Sequence, residues 1–223
     1  TQDNILLITT DQQRFDTINA WGNTSIFTPH LNYMAAMGTS FRSCYACCPI
    51  CVPSRTTIMT GRHGYESGVV SNATHEAEMR RQTKTAPHPA RPFSPTPAID
   101  LRKGKMHFEP ARAVMLLKDD PPLDYMRQYD RKSESARPKA HGIGECEMEP
   151  VLSTVDVKDS ITTWITDQSI DFLETRDTTR PFFLWTSFTK PHPPFDPCRD
   201  FWSLYENIPM PAPVYGDWSR DLE

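Results

Sequence analysis

No stretch of the chain is apolar over the roughly 20 consecutive residues that a membrane-spanning helix requires. No basic run offers a surface to nucleic acid, and the formal net charge of −4 argues against general binding of polyanions. No leader of the secretory kind is visible. The expected compartment is therefore the cytoplasm, or the periplasm or exterior if a signal peptide preceded Thr1. Nor does a second cysteine cluster complete the group Cys44, Cys47, Cys48 and Cys51; the other two cysteines, Cys146 and Cys198, lie far away. A zinc or iron–sulfur site is thus a minor reading, and the count leaves the redox compartment open. Asn23 and Asn72 lie in glycosylation sequons, which matter only in a chain secreted by a eukaryote. What is present suits a soluble core: 38% hydrophobic and 23% charged residues among 223, enough for one domain or one lobe of a larger one.

The chain is organised around Cys51-Val52-Pro53-Ser54-Arg55, closed by Thr60-Gly61-Arg62. Pro53 lacks an N–H and has a fixed φ, which suits the first turn of a helix, and Gly61 suits its left-handed end. Residue 51 then sits at a helix N-terminus, where the dipole and free N–H groups favour an anion. Arg55, one turn on, presents a planar fork of donors to a nucleophile or to ester oxygens. A structural cysteine beside a capped helix is the alternative for this segment alone.

Asn4 to Thr9 is a short apolar run, as expected of a parallel strand buried on both faces. Asp11 and Gln12 follow it, where an α/β sheet gathers ligand groups, and Asp11 is a candidate ligand for a hard metal ion. Thr28-Pro29 opens a helix with Leu31, Met34 and Ala35 inward and Gly38 as its stop. Thr39 to Ala46 reads as the next strand. Residues 73–103, with five prolines between Pro87 and Pro97, read as irregular. Order is expected again at Gly104-Lys105-Met106-His107, where Lys105 and His107 share one side of an extended chain. A helix is expected near Leu123 to Tyr129. Val157 to Thr175 is the clearest helix, with Ile161, Trp164, Ile165, Phe172 and Leu173 on one face. Phe182 to Phe188 is a second buried strand, delivering Lys190-Pro191-His192-Pro193-Pro194-Phe195, and the tail from Phe201 reads as a wrapping segment.

Asp11-Gln12, Cys51-x-Pro-Ser-Arg55, Gly104-Lys105-x-His107 and Lys190-Pro191-His192-x-Pro194-Phe195 resemble, in order, the active-site segments of bacterial type I, formylglycine-dependent sulfatases. The first cysteine motif should recur by chance about once in a thousand chains of this size. The resemblance covers residues 4–72, 104–110 and about 141–218. It implies an alkaline-phosphatase-like α/β fold, a mostly parallel central sheet flanked by helices, with the C-terminal part of that fold missing. Residues 73–103, where that fold normally holds a helix and an apolar strand, would be an irregular, atypical segment of it.

It further implies a hydrolase that cleaves small-molecule or carbohydrate sulfate esters, with a bound divalent ion, calcium by preference and magnesium or manganese as alternatives. Asp11, Gln12 and Cys51 would hold the metal. Cys51, oxidised to formylglycine by a maturation enzyme, would be the nucleophile. Arg55 and His107 would steady the hydrated aldehyde, Lys105 would bridge to the sulfate, His192 would contact sulfate or leaving oxygen, and Lys190 would bind or flank the substrate. A hydrated aldehyde has two hydroxyls on one carbon: one attacks sulfur, and the other collapses to release sulfate, which a plain serine or cysteine adduct has no means to do. Three other readings remain: a phosphodiesterase or phosphonate monoester hydrolase of the same superfamily, a truncated non-catalytic chain that binds a sulfated ligand or partner, and a cysteine-cluster metal protein.

Overall fold

A computed structural model describes residues 3–72, 99–104, 147–212 and 216, with the backbone alone for 99–104. Two units divide the chain. One comprises residues 1–13 and 44–198, the other residues 14–43 and 199–223.

The first unit is built on β3, Phe182–Ser187, whose six residues are all buried. It is the middle strand of a parallel sheet in the order β1-β3-β2, with β1 spanning Ile5–Thr9 and β2 spanning Ile99–Gly104. Leu7 pairs with Trp185 and Thr9 with Ser187, while Gly104 also pairs with Ser187. All three strands therefore end at the same edge.

Alternation along β3 assigns its two faces. Phe183 and Trp185 pack with Leu7 of β1 and with Met59 of helix α2, Cys51–Thr60. Phe182 and Thr186 meet helix α4, Ile161–Thr175: Phe172 stands edge-on to Phe182 at 5.6 Å, and Ser169 shares a 3.0 Å hydrogen bond with Thr186. A strand covered on both sides needs an almost continuous apolar run, which FFLW supplies. The helix expected from Val157 begins instead at Ile161, after a 3-10 turn at Val157–Asp159. Ser160 is its N-cap, accepting from Thr163 N–H at 3.1 Å. A short helix α3, Gly64–Ser67, follows α2.

Three expectations change. β1 is not buried on both faces: Ile5, Leu6 and Ile8 are 48%, 46% and 47% exposed, because β1 ends the described sheet. Thr39–Ala46 is not a strand; Arg42 and Ser43 form a turn, and the segment lacks the β-branched alternation that would bind it into a sheet. Ile99–Gly104 is a strand, so order returns by Ile99 rather than at Gly104. Its mixed apolar and charged sequence hides it from a search for apolar runs. The remainder of the irregular stretch, 73–98, and the helix expected near Leu123 to Tyr129 lie outside the described residues.

In the second unit, helix α1 spans Pro29–Met37 with proline in its first turn, and the Gly38 N–H bonds Met34 O at 3.0 Å. Leu31 and Met34 are exposed rather than inward. Polar side chains organise this unit instead: Thr28 Oγ1 accepts from Asn19 N–H at 2.9 Å and donates to Asn32 Oδ1 at 3.0 Å. The Asn23 amide donates to Asp16 O and accepts from Ser25 N–H, so this sequon side chain holds its own loop. The expected wrapping tail starts within a short helix, α5, Arg199–Ser203; beyond it Tyr205 packs on Phe27 at 5.7 Å. No helix among the described residues is long and apolar enough to cross a membrane.

Candidate active site

The carboxyl edge of the sheet gathers the site, as expected of parallel α/β proteins. Asp11 follows β1 and is only 7% exposed; its N–H reaches Lys190 O at 3.3 Å, tying the loops after β1 and β3 together. Gln12 follows at φ 60° with an exposed side chain. Its place in the site rests on the resemblance.

Cys51 is the first residue of α2, preceded by Ile50 in extended conformation. The helix closes as expected at Gly61, with φ 66° and an N–H bond to Thr57 O of 2.8 Å. The donors of its first turn are largely spent within the protein. Val52 N–H bonds Asn72 Oδ1 at 3.0 Å, Pro53 has none, and Ser54 N–H bonds Ile50 O at 3.0 Å. An anion at this end of the helix would therefore meet side chains such as Arg55 rather than a row of free amides.

Arg55 is 5% exposed. Its Nη1 donates to Ser187 Oγ at 2.7 Å, its Nη2 lies 3.8 Å from Asp11 Oδ1, and the guanidinium carbon is 5.8 Å from the Trp185 ring centroid. Burial pushes the guanidinium below its ordinary pKa, while Asp11 and Cys51 pull it back up. Arginine keeps its proton under such opposing influences, so a fixed positive charge stands beside residue 51. A relay supports it: Trp185 Nε1 donates to Thr9 Oγ1 at 2.9 Å, and Thr9 Oγ1 donates to Ser187 Oγ at 3.1 Å.

His192 completes the group. One ligand atom each from Asp11, Cys51 and His192 lies within 4.8 Å of the others. His192 Nδ1 is 2.7 Å from Pro193 O; a carbonyl only accepts, so Nδ1 carries the proton and Nε2 has the lone pair to offer. The His192 loop is held from several sides. His192 N–H bonds Thr189 O at 3.2 Å, Val151 N–H bonds Phe195 O at 2.9 Å, and Ser153 N–H bonds Pro197 O at 3.0 Å. Thr189 also keeps a buried hydroxyl with no hydrogen-bond partner among the described residues.

Lys190, expected to bind substrate or flank the pocket, has partners within its own loop. Its ammonium bonds the Asp196 carboxylate and, at 2.6 Å, Pro194 O. These contacts brace the loop. Lys105 and His107 lie outside the described residues; β2 leads towards them, ending at Gly104 opposite Ser187. Cys44, Cys47 and Cys48 are free thiols outside the Asp11–Cys51–His192 group. Sequence reading missed Ser187, Thr9, Asn72 and Asp196. A small polar residue inside an otherwise apolar buried strand was the available signal for Ser187, since such a hydroxyl needs a partner.

The Sulfatase family model matches residues 3–93. These residues carry the N-terminal portion of a sulfatase domain. The chain is 32% identical to an arylsulfatase of Clostridium perfringens over 97% of its own length and 49% of the relative's. It is 26% identical to an N-acetylglucosamine-6-O-sulfatase of Bacteroides thetaiotaomicron, over 96% of the chain and 36% of that protein. The chain thus spans about half or less of the length of these curated relatives. Its fold superposes on a phosphonate monoester hydrolase of Agrobacterium radiobacter with a TM-score of 0.64 and 20% identity, covering 94% of the chain and 45% of the hydrolase. The architecture is accordingly the alkaline-phosphatase-like α/β fold, in part.

Proposed function

We propose that the protein carrying this chain hydrolyses sulfate esters, with residue 51, oxidised to formylglycine by a maturation enzyme, as nucleophile beside a divalent ion. The observation that carries this is the convergence of Asp11, Cys51 and His192 ligand atoms within 4.8 Å, with Arg55 3.8 Å from Asp11. The donor set fits a hard ion once residue 51 is oxidised. Asp11 supplies a carboxylate, the hydrated aldehyde and Gln12 supply neutral oxygens, and calcium takes oxygen ligands. Magnesium or manganese would accept the same atoms. When bound, the ion would withdraw charge from the sulfate and from the attacking hydroxyl.

The chain's own residues account for the remaining work. Arg55, buried and fixed by Ser187, would hold positive charge where the sulfate accumulates negative charge. With Nδ1 engaged by Pro193 O, His192 keeps Nε2 for proton transfer; after taking a proton there it can return it to the leaving oxygen. Lys190 and Asp196 keep the His192 loop in place. Lys105 and His107 are assigned to the sulfate and the hydrate on the resemblance.

The relatives support an aryl or carbohydrate sulfate as substrate. A phosphonate or phosphodiester substrate is the second reading, favoured by the likeness of fold to a phosphonate monoester hydrolase. Side-by-side turnover of an aryl sulfate and an aryl phosphonate monoester by the matured protein separates the two. Preference for the sulfate is expected. Turnover of the phosphonate alone reverses the assignment, and no turnover of either despite an oxidised residue 51 supports a non-catalytic chain.

A further inference from the structure

Before oxidation the same three residues form a different kind of metal site. Asp11, Cys51 and His192 then offer one carboxylate oxygen, one sulfur and one imidazole nitrogen, all within 4.8 Å of one another. Zinc takes sulfur at about 2.3 Å and nitrogen or oxygen at about 2.0–2.2 Å, so tetrahedral neighbours lie roughly 3.3–3.6 Å apart. Small side-chain rotations bring the three donors to that spacing. Two of them are already oriented. His192 gives its Nδ1 proton to Pro193 O at 2.7 Å, the arrangement usual for a histidine that binds zinc through its other nitrogen. Asp11 is buried, with its backbone tied to Lys190. Calcium, which selects oxygen, has little use for the thiolate.

We infer that the chain with unmodified Cys51 binds a zinc-like ion through Asp11, Cys51 and His192, and that oxidation of residue 51 converts this site from a soft-ion to a hard-ion one. Three protein ligands leave a fourth position for water. Arg55 opposes the ion. Thiolate and carboxylate contribute two negative charges against one from Arg55 and two from the metal, so affinity falls below that of closed four-ligand zinc sites. An occupied site also shields the sulfur that oxidation must reach, so free zinc would slow maturation. The binding claim concerns the unmodified chain and stands apart from the catalytic reading, which turnover of the oxidised protein tests.

The test uses the full chain with residue 51 shown to be cysteine by peptide mass. Its thiols are alkylated with iodoacetamide at increasing zinc concentration, and each cysteine-bearing peptide is quantified. Cobalt, added in parallel, reports thiolate ligation by absorption. Alkylation of Cys51 should slow about tenfold at ten times the zinc dissociation constant, because only the free fraction reacts. Cys44 and Cys47 should be unaffected. The cobalt–thiolate band should persist when Cys44, Cys47 and Cys48 are all changed to serine, and vanish in His192→Ala and Cys51→Ser. Unchanged Cys51 alkylation in the unsubstituted chain overturns the proposal without relying on any variant. So does protection or a cobalt band that follows Cys44, Cys47 and Cys48.

Discussion

Ser187 shows how the site depends on residues that carry no chemistry. Its hydroxyl, fully buried, receives Arg55 at 2.7 Å and Thr9 at 3.1 Å, so Ser187→Ala leaves a buried guanidinium with one donor unmet. The expected loss is about 1.5–3 kcal/mol, read by urea unfolding, together with slower turnover as Arg55 loses its fixed position. An unchanged unfolding midpoint would mean that Arg55 finds another acceptor. Asn72 acts similarly on α2. Asn72→Ala should cost about 1 kcal/mol through loss of the acceptor for Val52 N–H, whereas Asn72→Asp should keep the stability. Asp11, Cys51, Arg55 and His192 were legible because short motifs placed each at a strand end or helix start. Ser187 and Asn72 were not, because their partners are 132 and 20 residues away in sequence. The Lys190–Asp196 pair was equally hidden, since neither residue's motif names the other as its partner.

Among the elements, the loop after β3 is the one whose stiffness matters most. Asp196→Asn weakens its hold on Lys190, which is partly exposed and can turn to water, so little global stability should be lost, roughly 1 kcal/mol at most. Turnover should fall at least about tenfold, because a small displacement of a reacting group is costly. Equal loss of stability and rate would point to a purely structural pair. β3 and α4 were readable from sequence: one is apolar throughout, and the other carries a clear apolar face. β2 was hidden because IDLRKG has no long apolar run, and Thr39–Ala46 was mistaken for a strand because it stood where an α/β order wanted one. α1 had correct ends but the wrong inward face, since Thr28 and Asn32 make hydrogen bonds that hold it while Leu31 and Met34 are exposed.

For the whole molecule, the proposed function couples oxidation of residue 51 to the choice of metal. The matured protein should be stabilised by calcium through mass action, by about 2.7 kcal/mol at one hundred times the dissociation constant, and melt lower after chelation. A melting temperature indifferent to calcium, magnesium and manganese would remove the hard-ion site from the account. The fold class was legible in the order of strand, nucleophile-bearing helix and second strand. The division into two units was not, because residues 14–43 join residues 199–223 across most of the chain.

The most direct test of the central claim is the mass of the tryptic peptide Ser43 to Arg55 from protein produced in a host that oxidises such cysteines. The account predicts an aldehyde or its hydrate at residue 51, with Cys44, Cys47 and Cys48 unmodified. A thiol at residue 51, in a host shown to oxidise a control sulfatase, would contradict it.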